Sequence, residues 1–89
     1  MKGKLRKDLS RDLLKTYMYY LEHAPPHFHA EYGEFEITVE IESGVVSGRF
    51  PRRALGLVLE WCVIHKAELL ADWALAAEKL PLNPILPLE

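Results

Sequence analysis

Residues 34–42, Glu-Phe-Glu-Ile-Thr-Val-Glu-Ile-Glu, constrain this chain more than any other stretch. Phe35, Ile37, Val39 and Ile41 alternate with Glu34, Glu36, Glu40 and Glu42, and Thr38 completes the polar set. A period of two belongs to a strand with one buried and one wet face. The β-branched side chains at 37, 38, 39 and 41 fit a pleated surface. Stacked glutamates repel, so a basic neighbour or open solvent is expected beside them.

The flanks extend this strand into a meander. Gly44 supplies the positive φ of a tight turn, and Val45–Arg49 reads as a short returning strand. Gly33 separates residues 27–32 from the main strand, which reads as a second hairpin. Residues 5–22 are ambiguous. Leu5, Leu9, Leu13 and Tyr17 recur at helical spacing, while Leu14, Thr16, Met18 and Tyr20 alternate as a strand would. Ala24-Pro25-Pro26 ends either element.

From Pro51 the pattern turns helical. Pro51 suits a helix start, and Leu55, Val58, Leu59, Cys62, Leu69, Trp73 and Ala76 form an apolar stripe. Lys66 interrupts it, so one helix over 51–79 or two helices broken near 65–67 both fit. Trp61 and Trp73 are expected in or near the core. His65, Glu68 and Asp72 share a helix side and read as a solvated polar cluster. Residues 80–89 hold three prolines and form an extended tail whose leucines and isoleucine should dock on the sheet or on a partner. The fold expected is a small α+β domain, residues 1–89. It has an antiparallel three- or four-stranded sheet (about 14–20, 27–32, 35–42 and 45–49) and C-terminal helix or helices over about 51–79.

Charge and length bound the function. Eighty-nine residues make one domain with a small core. The net charge of −2 argues against a protein that coats nucleic acid. The basic opening, Lys2, Lys4, Arg6, Lys7 and Arg11, reads as a mobile, solvated segment over 1–12. No apolar run is long enough for a membrane helix. The single cysteine, Cys62, excludes an internal disulfide and suits a reducing compartment.

The chemistry concentrates in His23-Ala-Pro-Pro-His27-Phe-His29-Ala-Glu31. On a strand, His27, His29 and Glu31 share one face, with Phe28, Ala30 and Tyr32 on the other. Two imidazoles and a carboxylate suit a divalent metal with open positions, or act as general acid and base without one. His23 is placed to join across the Pro-Pro turn. An H-x-H pair is a weaker signal than a full zinc signature, and half-buried histidines often only bond a carbonyl or carboxylate. Arg49, Arg52 and Arg53 surround the helix start. Arg52 and Arg53 can bind a phosphate or carboxylate there, or pair with the strand glutamates.

Taken together, Pro25 to Ala30 (P-P-H-F-H-A), Pro51 to Leu55 (P-R-R-A-L), Glu60-Trp61, His65, Glu68-Leu69 and Trp73 resemble the small bacterial family called domain of unknown function 4160. The resemblance covers about residues 14–88, and residues 1–12 depart from it. It implies a strand at about 14–20. It also implies a bacterial cytoplasmic protein acting as a regulator or toxin–antitoxin component, with another small protein as partner. The family has no established catalytic residues to carry over. The leading expectation is an interaction or regulatory module working through His23, His27, His29, Arg52 and Arg53. The alternatives are a minimal nuclease or metal-assisted hydrolase on the His27/His29 face, and a structural homodimer joined by an edge strand or the tail.

Overall fold

A computed structural model describes residues 2–6 and 14–85. Five strands, β1 (Lys2–Arg6), β2 (Leu14–Tyr19), β3 (His27–Tyr32), β4 (Phe35–Glu40) and β5 (Val46–Arg49), precede two helices, α1 (Arg52–Ile64) and α2 (Lys66–Ala77). The sheet is an antiparallel meander in chain order. Within the ambiguous stretch 5–22, Leu14–Tyr19 is strand.

A fifth strand joins the four expected. Lys2–Arg6 pairs with β2, Lys2 opposite Tyr19 and Arg6 opposite Thr16, instead of forming a mobile segment. Without it the outer edge of β2 would carry a row of unpaired backbone groups. A lysine-rich segment suits the edge position it takes, because charge there discourages further pairing. The remainder of 1–12 lies outside the described residues.

The turns follow glycine. Gly33 (φ 60°) opens the two-residue connection that sets Tyr32 opposite Phe35. Gly44 (φ 78°) makes the expected turn, and its N–H donates to the Glu40 carbonyl at 2.9 Å. That bond, with Glu40 N–H to the Val45 carbonyl, closes the turn earlier than the sequence suggests, so β4 stops at Glu40 rather than 42. The Ile41 N–H donates instead to the Pro26 carbonyl at 3.0 Å.

The alternation in β4 sorts as expected at its centre. Ile37, Val39 and Ile41 are buried, with Leu14, Thr16 and Met18 of β2 and Phe28 and Ala30 of β3. Phe35 lies at the hairpin, beyond the helical cover, and is half exposed. The helices cover this inner face. Their centre is Trp61, fully buried and edge-on to Phe28 at 5.6 Å between ring centroids. The stripe is rotated from the expected one: Ala54, Val58, Trp61 and Cys62 are buried, whereas Leu55, Leu59 and Trp73 are only partly so.

The helical segment divides at His65. Its N–H still donates to the Trp61 carbonyl, and its own carbonyl accepts from Leu69, so one residue ends α1 and begins α2. The expected solvated cluster also divides. His65 Nδ1 pairs with Glu68, but Asp72 is buried, and its Oδ1 accepts the Asn83 N–H at 2.9 Å. That bond fastens the tail, whose Ile85 is buried and whose Leu82 packs against the core. The tail thus docks on its own chain. Leu86 and Leu88 lie outside the described residues. No described helix is long and apolar enough to cross a membrane.

Candidate metal centre

The outer face of the sheet carries the chemistry. Tyr17 of β2 lies opposite His29 of β3 in the ladder, and alternation points both to the face opposite Phe28 and Ala30. Their rings stack at 5.2 Å between centroids and 4° between planes. Tyr19 meets His29 edge-on at 4.7 Å. The His27 ring stands 5.4 Å from that of His29 and 5.1 Å from Trp73 of α2. The rings of Tyr17, Tyr19 and Trp73 therefore flank the two imidazoles, and His29 is 8% exposed.

A carboxylate closes the group. Glu22, in the connection from β2 to β3, brings Oε1 to 2.9 Å from His29 Nε2 and 3.1 Å from His27 Nε2. On the far side of its ring, His27 Nδ1 lies 2.9 Å from the Pro25 carbonyl oxygen. A carbonyl only accepts, so Nδ1 carries the proton. In the neutral ring Nε2 is then a lone pair, and it points at an anion. A proton or a metal cation has to lie between Nε2 and Glu22. Burial alone raises the Glu22 carboxyl, but the hydrogen bonds and charge of His29 and His27 outweigh it and hold the group below its ordinary value of 4.5.

The spacing suits one ion. The donor atoms of Glu22, His27 and His29 all lie within 4.8 Å of one another. Two donors each bound at about 2.1 Å to a tetrahedral ion stand roughly 3–3.5 Å apart, close to the two observed nitrogen–oxygen distances. The His27–Pro25 bond has the form of the outer-shell contacts that fix ligating histidines in one tautomer.

Glu31, the expected third ligand, is engaged elsewhere. It shares the histidine face, but its Oε2 accepts from the Tyr17 hydroxyl at 2.6 Å, as does Glu36 Oε2 at the same distance. The phenol has one proton for two carboxylates, so it donates to one at a time. Burial, then those two hydrogen bonds, push the Tyr17 phenol far above its ordinary value of 10.0, and it stays a donor. Glu36 Oε2 is also 3.8 Å from His29 Nδ1, a buried atom with no hydrogen-bond partner among the described residues.

The other expected residues lie apart. His23 is exposed, and its neighbour Glu22 takes the place across the Pro-Pro turn. Arg52 and Arg53 are exposed in the first turn of α1. The far end of that helix meets the histidine end of the sheet, where the Cys62 thiol donates to the Ile41 carbonyl. Ten residues of helix put the arginines about 15 Å from that end. No ion pair joins them to the strand glutamates among the described residues. Arg49 does lie beside a glutamate, opposite Glu36 in the β4–β5 ladder.

The family described as Domain of unknown function (DUF4160) matches residues 14–74. The chain belongs to this family. The matched span includes Tyr17, Glu22, His27, His29 and Glu36, and leaves out β1 and the Pro-rich tail. Comparison with curated proteins and with solved structures returns no significant match.

Proposed function

We propose that the protein binds a divalent transition-metal ion through Glu22, His27 and His29 and presents it for metal-assisted hydrolysis. The observation that carries this is the convergence of two imidazole Nε2 atoms on one carboxylate oxygen, at 2.9 and 3.1 Å, with the His27 proton committed to Pro25 on the opposite side. Three protein ligands leave positions open for water and substrate. Two nitrogens and one oxygen suit zinc, nickel or iron(II) better than magnesium or calcium. Arg52 and Arg53 stand too far away to clamp a phosphate at this centre, so the substrate is held by other groups. Zinc titrated calorimetrically into chelator-treated protein should bind one equivalent, and His29→Ala should abolish the heat. No heat with the wild-type protein would end this reading.

An interaction module for another small bacterial protein, toxin–antitoxin pairing included, is the second reading. Val63 and Ile64, 76% and 57% exposed at the end of α1, favour it. A cytoplasmic setting suits the free, buried Cys62. Co-purification that fails on Val63→Asp/Ile64→Asp while zinc binding persists would bring this reading forward.

A further inference from the structure

Among the described residues, two that are not glycine have positive φ: Leu21 at 62° and Lys79 at 59°. Both line one cleft of about 580 Å³, and Tyr20 and Pro81 also line it among the described residues.

Their backbones have separate local causes. Lys79 follows the end of α2, where the Leu80 N–H reaches back to the Leu75 carbonyl at 2.9 Å and the Lys79 N–H to Ala76 at 3.1 Å. Glycine is the usual residue at such a helix end, because it carries no Cβ penalty. Leu21 lies in the turn after β2, and a bulky side chain in the left-handed region is a genuine outlier. Strain of this kind gathers at ligand clamps.

Apolar side chains at these two turns stand in water. Leu21 is 58% exposed and Leu80, beside Lys79 in the chain, 44% exposed. Lys79 makes no ion pair among the described residues. Glu22, the acid next to Leu21, turns its carboxylate to the histidines. Among the described residues the cleft thus combines apolar side chains with a cation that has no ion-pair partner.

We infer that this cleft binds a small amphipathic anion, its apolar body against Leu21 and Pro81 and its anionic head at the Lys79 amine. The site uses none of the three metal donors, so it stands or falls apart from the metal reading. Covering Leu21 removes apolar surface from water, and Lys79 sets the sign of the ligand.

Phenylacetate and its uncharged counterpart phenethyl alcohol test this by amide chemical shifts in chelator-treated protein. Phenylacetate should move the amides of Tyr20, Leu21 and Lys79 and bind about fivefold tighter than the alcohol, the upper range for an exposed ion pair. Lys79→Gly keeps the helix end in its preferred backbone and should erase that difference. Glu22→Gln, which removes a metal donor, should leave phenylacetate binding unchanged. Shifts absent from these amides, equal affinity for acid and alcohol, or an unaltered preference in Lys79→Gly would overturn the inference.

Discussion

The Nδ1–H of His27 donates to the carbonyl of Pro25, two residues earlier in the chain, at 2.9 Å. That bond decides which nitrogen faces Glu22. The Pro-Pro turn is thus more than a strand boundary, because its carbonyl sets the tautomer of His27.

Replacing the carboxylates one at a time separates donors from neighbours. Glu22→Gln should weaken zinc binding by at least about 100-fold, the upper end of what even outer-shell changes cause. Glu31→Gln should leave it within a few-fold, since that side chain is held by Tyr17. Calorimetric titration of the two variants reads the ratio directly. Equal losses would show that Glu31 is a ligand after all.

Tyr17→Phe removes the proton shared by Glu31 and Glu36 and leaves two carboxylates side by side in the β3–β4 ladder. The loss should cost about 1–3 kcal/mol of folding stability. Urea unfolding measures it. A variant as stable as the wild type would mean the two glutamates find equivalent partners in solvent.

Asp72 gives stability a pH dependence of a definite sign. Burial raises its carboxyl above the ordinary value of 3.8, the Asn83 N–H opposes that, and nearby Glu68 adds to it. Folding therefore favours the protonated form. That contribution is complete below 3.8 and is lost as pH rises through the folded value. Asp72→Asn keeps an oxygen for the Asn83 N–H and cannot ionise. Its stability relative to the wild type should improve between acidic and neutral pH, as urea midpoints at several pH values would show. A constant difference would place the origin of the wild-type slope elsewhere.

Gly48 is fixed on two grounds. Its φ is 107°, and a Cβ there would stand 2.7 Å from the Glu36 carbonyl oxygen. Gly48→Ala should destabilise by about 1–3 kcal/mol, the range for such backbone strain. The urea midpoint should fall with its slope unchanged.

The sheet was largely legible in the sequence because its signals are local. Period two in residues 34–42, with Gly33 and Gly44 at the turns, places β3, β4 and β5 to within two residues. Gly44 was recognisable as a turn glycine. Gly48 was not, because its need comes from a carbonyl on the neighbouring strand. β1 was hidden for a similar reason: a short basic segment becomes a strand only because β2 offers an edge. In the site, His27 and His29 followed from alternation alone. Glu22 did not, since it reaches them through the path of a loop, and period two favoured Glu31 on geometry that is correct for the face but not for the carboxylate. Asp72 was misjudged because helical spacing reports a side of the helix and not what the tail lays over it.

Strand order matching chain order has a kinetic meaning. Each strand pairs with one just before or after it, so every closure in the sheet joins a short loop and carries a small entropic penalty. The sheet can assemble as successive hairpins, with no strand waiting for a distant partner. The slow step then passes to the element that returns from far along the chain: α1, which brings Trp61 onto Phe28. Refolding followed at Trp61 should lag behind refolding followed by backbone β-signal.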